Sequence, residues 1–72
     1  MPELELLSVV ALIEEMPEKG LRRGHVGTVV ENLGPGVYEV DFSDDSGRTY
    51  ASLAFRAGQL IRLHHEPSHQ AA

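Results

Sequence analysis

Carboxylates, imidazoles and hydroxyls are the reactive groups in this chain; it has no cysteine, which removes disulfides, thiolate nucleophiles and iron–sulfur ligation together. Ser8, Ser43, Ser46, Ser52 and Ser68 accompany four histidines and eleven acids. None of these serines stands in a Gly-x-Ser-x-Gly turn or another local setting that activates a hydroxyl. No catalytic residue is assigned, and no enzymatic activity is expected. His64, His65 and His69 cluster with Glu66, ligand types that suit a transition metal. A polar tail lacks the surrounding partners that orient ligands, so adventitious affinity is expected there and neither a metal site nor a cofactor. Gly34-Pro35-Gly36 and Gly24-His25-Val26-Gly27 lack phosphate-loop spacing and read as turns, and His25 reads as a solvated loop histidine. Asp41, Asp44 and Asp45 lack the spacing and closing glutamate of a calcium loop.

Charge is the remaining resource. Six Lys and Arg against eleven Asp and Glu give a formal net charge of −5, which opposes general affinity for nucleic acid or anionic membrane, since both reward concentrated positive charge. The charges fall in blocks: five acids in residues 1–18, three bases in 19–30, five acids in 31–47 and three bases in 48–63. Glu14, Glu15, Glu18, Glu31, Glu39, Asp41, Asp44 and Asp45 form the candidate surface for a basic protein partner, where opposite charge speeds association. Lys19, Arg22 and Arg23 make the only compact basic patch. Joined by Arg48, and by Arg56 and Arg62 if the fold gathers them, with Tyr50 and Tyr38 as stacking surfaces, it is the alternative nucleic-acid site. The longest uninterrupted apolar run, Val9–Ile13, is too short to span a bilayer, and a cytoplasmic protein without membrane contact is expected.

Positioning these groups falls to short elements, because seven glycines cut the 72 residues into short runs, the punctuation of a small all-β domain. Residues 25–32, 36–43 and 48–55 read as three strands of an antiparallel meander, joined by Asn32–Gly36 and Asp44–Gly47. A 3₁₀ turn at Ala57-Gly58 and a last strand over 59–63 follow. Leu6, Val9, Val10, Ile13 and Met16 fit helical spacing, while residues 8–13 also read as a β-branched strand. Closure favours the strand: a fifth strand over 7–13 covers the open edges and completes a small five-stranded barrel. Phe42 and Phe55 are expected in its core with Val10, Leu12, Val30, Val40, Leu53 and Leu60. Residues 1–63 read as one domain, and 64–72 as a disordered tail.

Five segments together carry a resemblance: Val9-Val10-Ala11-Leu12, the run Met16 to Val30, Tyr38-Glu39-Val40-Asp41-Phe42, Gly47-Arg48-Thr49-Tyr50, and Gln59-Leu60-Ile61-Arg62-Leu63. The chain resembles the small bacterial family catalogued as domain of unknown function 4926, most specifically in Leu21-Arg22-Arg23-Gly24-His25-Val26-Gly27-Thr28-Val29-Val30. His25 departs from the acidic residue expected at that position. The resemblance implies an SH3-like small barrel with a strand over 7–13 and supplies no catalytic residues. It also implies a small protein paired with a toxin or nuclease-like partner, hence a protein–protein interaction module of the antitoxin or immunity-inhibitor kind. The alternative is a KOW-like barrel that binds RNA or DNA through Lys19, Arg22 and Arg23. Homodimerisation through an edge strand is a further option, since a chain of this length buries only about 60% of the surface it exposes when unfolded.

Overall fold

The computed structural model describes residues 4–64. Five strands, β1 (Val9–Leu12), β2 (Val26–Gly34), β3 (Val37–Ser43), β4 (Thr49–Arg56) and β5 (Leu60–Arg62), pair antiparallel in the order β4-β3-β2-β1-β5. Single 3₁₀ turns occupy Pro17–Lys19 and Ala57–Gln59. The fold is all-β, with no α-helix among the described residues. The first segment is a strand, as closure predicts: β1 bonds β2 on one side and β5 on the other, and pairing on both flanks overrides a helical spacing of apolar residues.

β4 and β5 are the two edges of the sheet, yet only Ala57–Gln59 separates them. A flat five-stranded sheet sets its edges about 19 Å apart, whereas the four steps from Arg56 to Leu60 cover about 14 Å even at full extension. The sheet must therefore curl until its edges meet at that turn. Phe55 of β4 and Leu60 of β5 accordingly share one core with Val10, Leu12, Leu21, Val29, Tyr38, Val40 and Phe42. The connectivity follows the SH3-like order, but the sheet stays open. β5 is three residues long and its ladder is with β1, so none joins β4.

Two details of the core differ from the sequence reading. Val29, not Val30, points inward: Val29 is fully buried and Val30 lies exposed where the β2–β3 register shifts between Val29 and Glu31. Leu21, a loop residue, is also fully buried, held by the Met16–Leu21 bridge. Phe42 and Phe55 meet edge to face, ring centroids 5.7 Å apart, and burying such rings stabilises the fold by about 1.5–3 kcal/mol each. Tyr38 is buried beside them and its hydroxyl accepts a hydrogen bond from the Leu4 N–H at 3.2 Å. β2 also runs to Gly34, so the expected five-residue turn shrinks to Pro35-Gly36. Pro sets the first turn position and Gly36, at φ 69°, takes the left-handed second one.

Gly27 allows β2 to lie against β3. A Cβ there would sit 2.7 Å from Val40 Cγ1 and 2.8 Å from the Asp41 carbonyl oxygen, closer than atoms pack. Leu7 shows the reverse mismatch. Its N–H donates to the Val29 carbonyl at 2.6 Å, the Val29 N–H donates to Ser8 at 2.9 Å, and Leu7 itself has φ 69°. That is the bulge whose first residue is normally glycine. Gly27→Ala should lower the unfolding free energy by about 1–3 kcal/mol in urea melts. Leu7→Gly should raise it: relief of about 1–2 kcal/mol of left-handed strain exceeds the roughly 0.4–1 kcal/mol of added freedom in the unfolded chain. A destabilised Leu7→Gly protein would contradict the bulge assignment.

Candidate functional site

The curl leaves one continuous outer face, and alternation decides what it shows. On β3 the outward residues are Val37, Glu39, Asp41 and Ser43, between the buried Tyr38, Val40 and Phe42. Register sets Glu31 of β2 directly opposite Glu39, Thr28 opposite Asp41, and Ser52 of β4 on the far side of Asp41. The Ser52 hydroxyl donates to Asp41. Half of the outer face is therefore acidic, with Glu31, Glu39 and Asp41 side by side. Like charges directly opposite each other across a ladder repel, so this arrangement lowers the stability of the isolated domain.

The other half, over β5-β1-β2, is apolar. Ala11 lies opposite Ile61 on one side and Val26 on the other, forming a row across three strands. Val9 precedes it on β1, and Ile13 follows just past the end of the strand. Val26 is 48% exposed, Ile61 53% and Ile13 44%, while Ala11 beneath them is 8% exposed without belonging to the core cluster. Neither periodicity nor charge blocks marked this surface. The signal was the run Val9–Ile13, apolar at every position, which is the composition of a strand covered on both faces.

The eight acids expected to act together fall into three groups. Glu31, Glu39 and Asp41 share the outer face. Glu14, Glu15 and Glu18 lie exposed in the β1–β2 connection, where Glu14 accepts from Gln59 Nε2 at 3.0 Å and Glu15 from the Arg23 backbone N–H at 2.6 Å. Asp44 and Asp45 form the tip of the β3–β4 hairpin. Where these carboxylates accept hydrogen bonds, the donors are neutral amides and hydroxyls, so their negative charge is not cancelled by those contacts.

The basic set is partly gathered. Arg22 and Arg23 are exposed beside His25, whose Nδ1 accepts the Arg22 N–H at 3.3 Å. The half-buried His25 ring meets Tyr50 edge-on, centroids 6.3 Å apart. Tyr50 is the extra residue where Ala51 pairs with Phe42 and Thr49 with Ser43. This contact brings Arg22 and Arg23 to the hairpin that carries Arg48, while Arg56 ends β4 and Arg62 ends β5, outside the cluster. Lys19 lies exposed in the first 3₁₀ turn. Tyr38 is 1% exposed and offers no stacking surface. Of the histidine cluster, His65, Glu66 and His69 lie outside the described residues, as does the expected tail beyond His64.

At the hairpin tip Asp44 Oδ1 accepts from the Arg48 N–H at 3.0 Å, the Ser46 N–H at 3.0 Å and the Ser46 hydroxyl at 2.8 Å. These bonds, led by that from Arg48, favour the carboxylate and hold the Asp44 pKa below its usual 3.8. A depressed folded pKa stabilises the turn above pH 3.8, and that contribution fades as pH falls below 3.8 through the folded value. In an NMR titration the Arg48 and Ser46 amides should keep their shifts past the point where an unfolded aspartate protonates. They should lose that plateau in Asp44→Asn.

Neither the curated proteins nor the solved structures contain a match to this chain. Residues 6–62, from the bulge before β1 to the last residue of β5, match the family described as Domain of unknown function (DUF4926), and the chain belongs to that family.

Proposed function

We propose that this protein is a non-enzymatic interaction module that docks a basic partner protein on its acidic outer face, as an antitoxin or immunity-type inhibitor would. One observation carries the reading: Glu31 is held opposite Glu39 with Asp41 beside them, a like-charge arrangement that costs the free domain stability and is relieved when a cationic surface covers it. The −5 net charge supports it by steering a basic partner toward the whole molecule. The serine hydroxyls of Ser46 and Ser52 are engaged by Asp44 and Asp41 in turn and sheet contacts, which supports a binding role over a hydrolytic one. No helix among the described residues is long and apolar enough to cross a membrane. In this reading the module works in the cytoplasm, where a cysteine-free chain needs no oxidising environment.

A second reading has one observation in its favour. The His25–Tyr50 contact joins Arg22 and Arg23 to the hairpin bearing Arg48, a basic cluster with one aromatic ring 49% exposed, as a KOW-like nucleic-acid binder would use. Asp44, Asp45 and Glu15 lie among these bases, so the acidic face remains the preferred site.

Glu39→Gln should raise the unfolding free energy by about 0.2–1 kcal/mol at low salt, with the gain shrinking as salt screens the repulsion. Affinity capture from nuclease-treated lysate of the source cell separates the two readings. A stoichiometric protein retained by wild type and by Arg22→Glu/Arg23→Glu, but released by Glu31→Lys/Glu39→Lys, supports the interaction module. Loss of every partner on nuclease treatment, or dependence on Arg22 and Arg23, overturns it in favour of nucleic acid.

A further inference from the structure

We propose that the free edge of β4 at Ser52 and Ala54 takes an extended segment of a basic partner protein as a sixth strand, with Lys or Arg at alternate positions. This rests on the acidic-face reading and adds to it the form of the partner and the place where it docks. Hydrogen-bond alternation locates the edge. The Ala57 N–H donates to the Gly36 carbonyl at 2.9 Å, just beyond the Val37–Arg56 pair, which makes that pair one that exchanges no bonds of its own. Along the ladder, Tyr38–Phe55 and Val40–Leu53 are then bonded pairs, and Glu39–Ala54 and Asp41–Ser52 are not. The N–H and C=O of Ser52 and of Ala54 therefore point away from β3, and no backbone bond from a turn or loop of the described chain reaches them. Arg56, next in the series, is closed, because its N–H donates to Gln59 Oε1 at 2.9 Å. The bulge at Tyr50 ends the series on the other side.

Thr49–Phe55 contains neither charge nor proline, the devices that usually keep a sheet edge from pairing, whereas β5, the other edge, is only three residues long. Ser52 and Ala54 are small, exposed and on the outer face, directly beside Asp41 and Glu39. A residue paired with Ala54 on an added antiparallel strand would have its Cα about 10 Å from that of Glu39. A Lys or Arg stem can lie across Ala54 over that distance and set its charge on the carboxylate. The residue paired with Ser52 stands likewise to Asp41, whose carboxylate already leans toward β4 by accepting the Ser52 hydroxyl. Between those two, the added strand turns one side chain inward beside the half-buried Leu53, so the segment reads basic, apolar, basic. Charge sets this occupant above a second copy. A second copy engages both residues only with Ser52 opposite Ala54 of the other chain. Each row across that seam then runs from Asp41 of one copy to Glu39 of the other, with no base in it.

The probe is a capped Val-Arg-Val-Arg-Val peptide titrated into the full chain, up to about 5 mM, since so short an edge binds weakly. The Ser52 and Ala54 amides should become protected from hydrogen exchange in proportion to the fraction bound, while the Leu53 and Phe55 amides, already bonded to β3, should change little. N-methylation of both arginines keeps their charge and removes the two donors facing β4, and should raise the dissociation constant about tenfold or more. N-methylation of the central valine, whose N–H faces away from β4, should not. Ala54→Pro, which removes an edge-directed N–H and no ladder bond, should weaken binding in the same direction, and Glu39→Lys should release the peptide. Indifference to arginine methylation overturns the added strand, and the acidic-face reading still stands if Glu39→Lys releases the peptide. Binding that survives Glu39→Lys overturns both. Absence of binding up to about 5 mM overturns the added strand. So does protection of Ser52 and Ala54 that grows with protein concentration alone, which would make the occupant a second copy.

Discussion

Three residues between the two edge strands set the shape of this molecule. Because Ala57–Gln59 is all that separates β4 from β5, the ends of strands at opposite edges of the sheet must lie within about 14 Å of each other, and only a curled sheet allows it. Curling turns one face into a closed interior small enough for Phe42, Phe55 and Tyr38 to fill with a few aliphatic side chains. The remaining features serve that curvature. Gly27 lets β2 press against β3, the irregularities at Val30 and Tyr50 re-aim their strands, and Arg56 and Gln59 brace the turn through the Arg56 N–H bond to Gln59 Oε1 at 2.9 Å.

Much of this was readable in the residues, for identifiable reasons. Strict alternation in Val37–Ser43 announced a half-covered strand, and β3 is buried at alternate positions as written. Gly27 inside a β-branched run announced a close approach, and its missing side chain faces Val40 and Phe42. The inward choice between Val29 and Val30 was not readable, because both are valines and a bulge shifts parity by one residue without a composition signal. Leu21 was missed because a loop residue gives no period. The candidate site was legible only in part: charge blocks named Glu31, Glu39 and Asp41 but merged them with loop and hairpin acids, since sequence order does not reveal which strand faces adjoin.

Division of the outer face follows from how the charges were distributed among strands. β3 alternates acidic and apolar residues, so its outward row is acidic, whereas β1 has no polar residue to present and its outward row is apolar by necessity. Since β2 stands between them, its outward residues pass from Val26 and Thr28 to Glu31 along a single strand. The two surfaces are therefore continuous, and whatever covers one borders the other. A partner drawn in by the acidic half arrives next to an apolar strip, the combination of charge steering and apolar burial on which stable interfaces depend.

Local choices that disfavour the isolated fold gather just before β1 and on the acidic part of the outer face. Leu7 adopts a backbone conformation suited to glycine while 75% exposed, Ser8 buries its Oγ without a hydrogen-bond partner, and Glu31 opposes Glu39. Each lowers stability, and none improves the core. A small domain has little stability to spare, and sequences tend to keep local choices consistent with the global fold except where binding is served. The interior of this domain obeys that consistency: its large side chains pack, Tyr38 has its hydrogen bond, and glycine occupies the one position where a Cβ would collide. Departures appear at Leu7, Ser8, Glu31 and Glu39, around β1 and β2 and away from the hairpin tip. On the proposed reading, the opposition of Glu31 and Glu39 is the departure that a cationic partner surface would relieve.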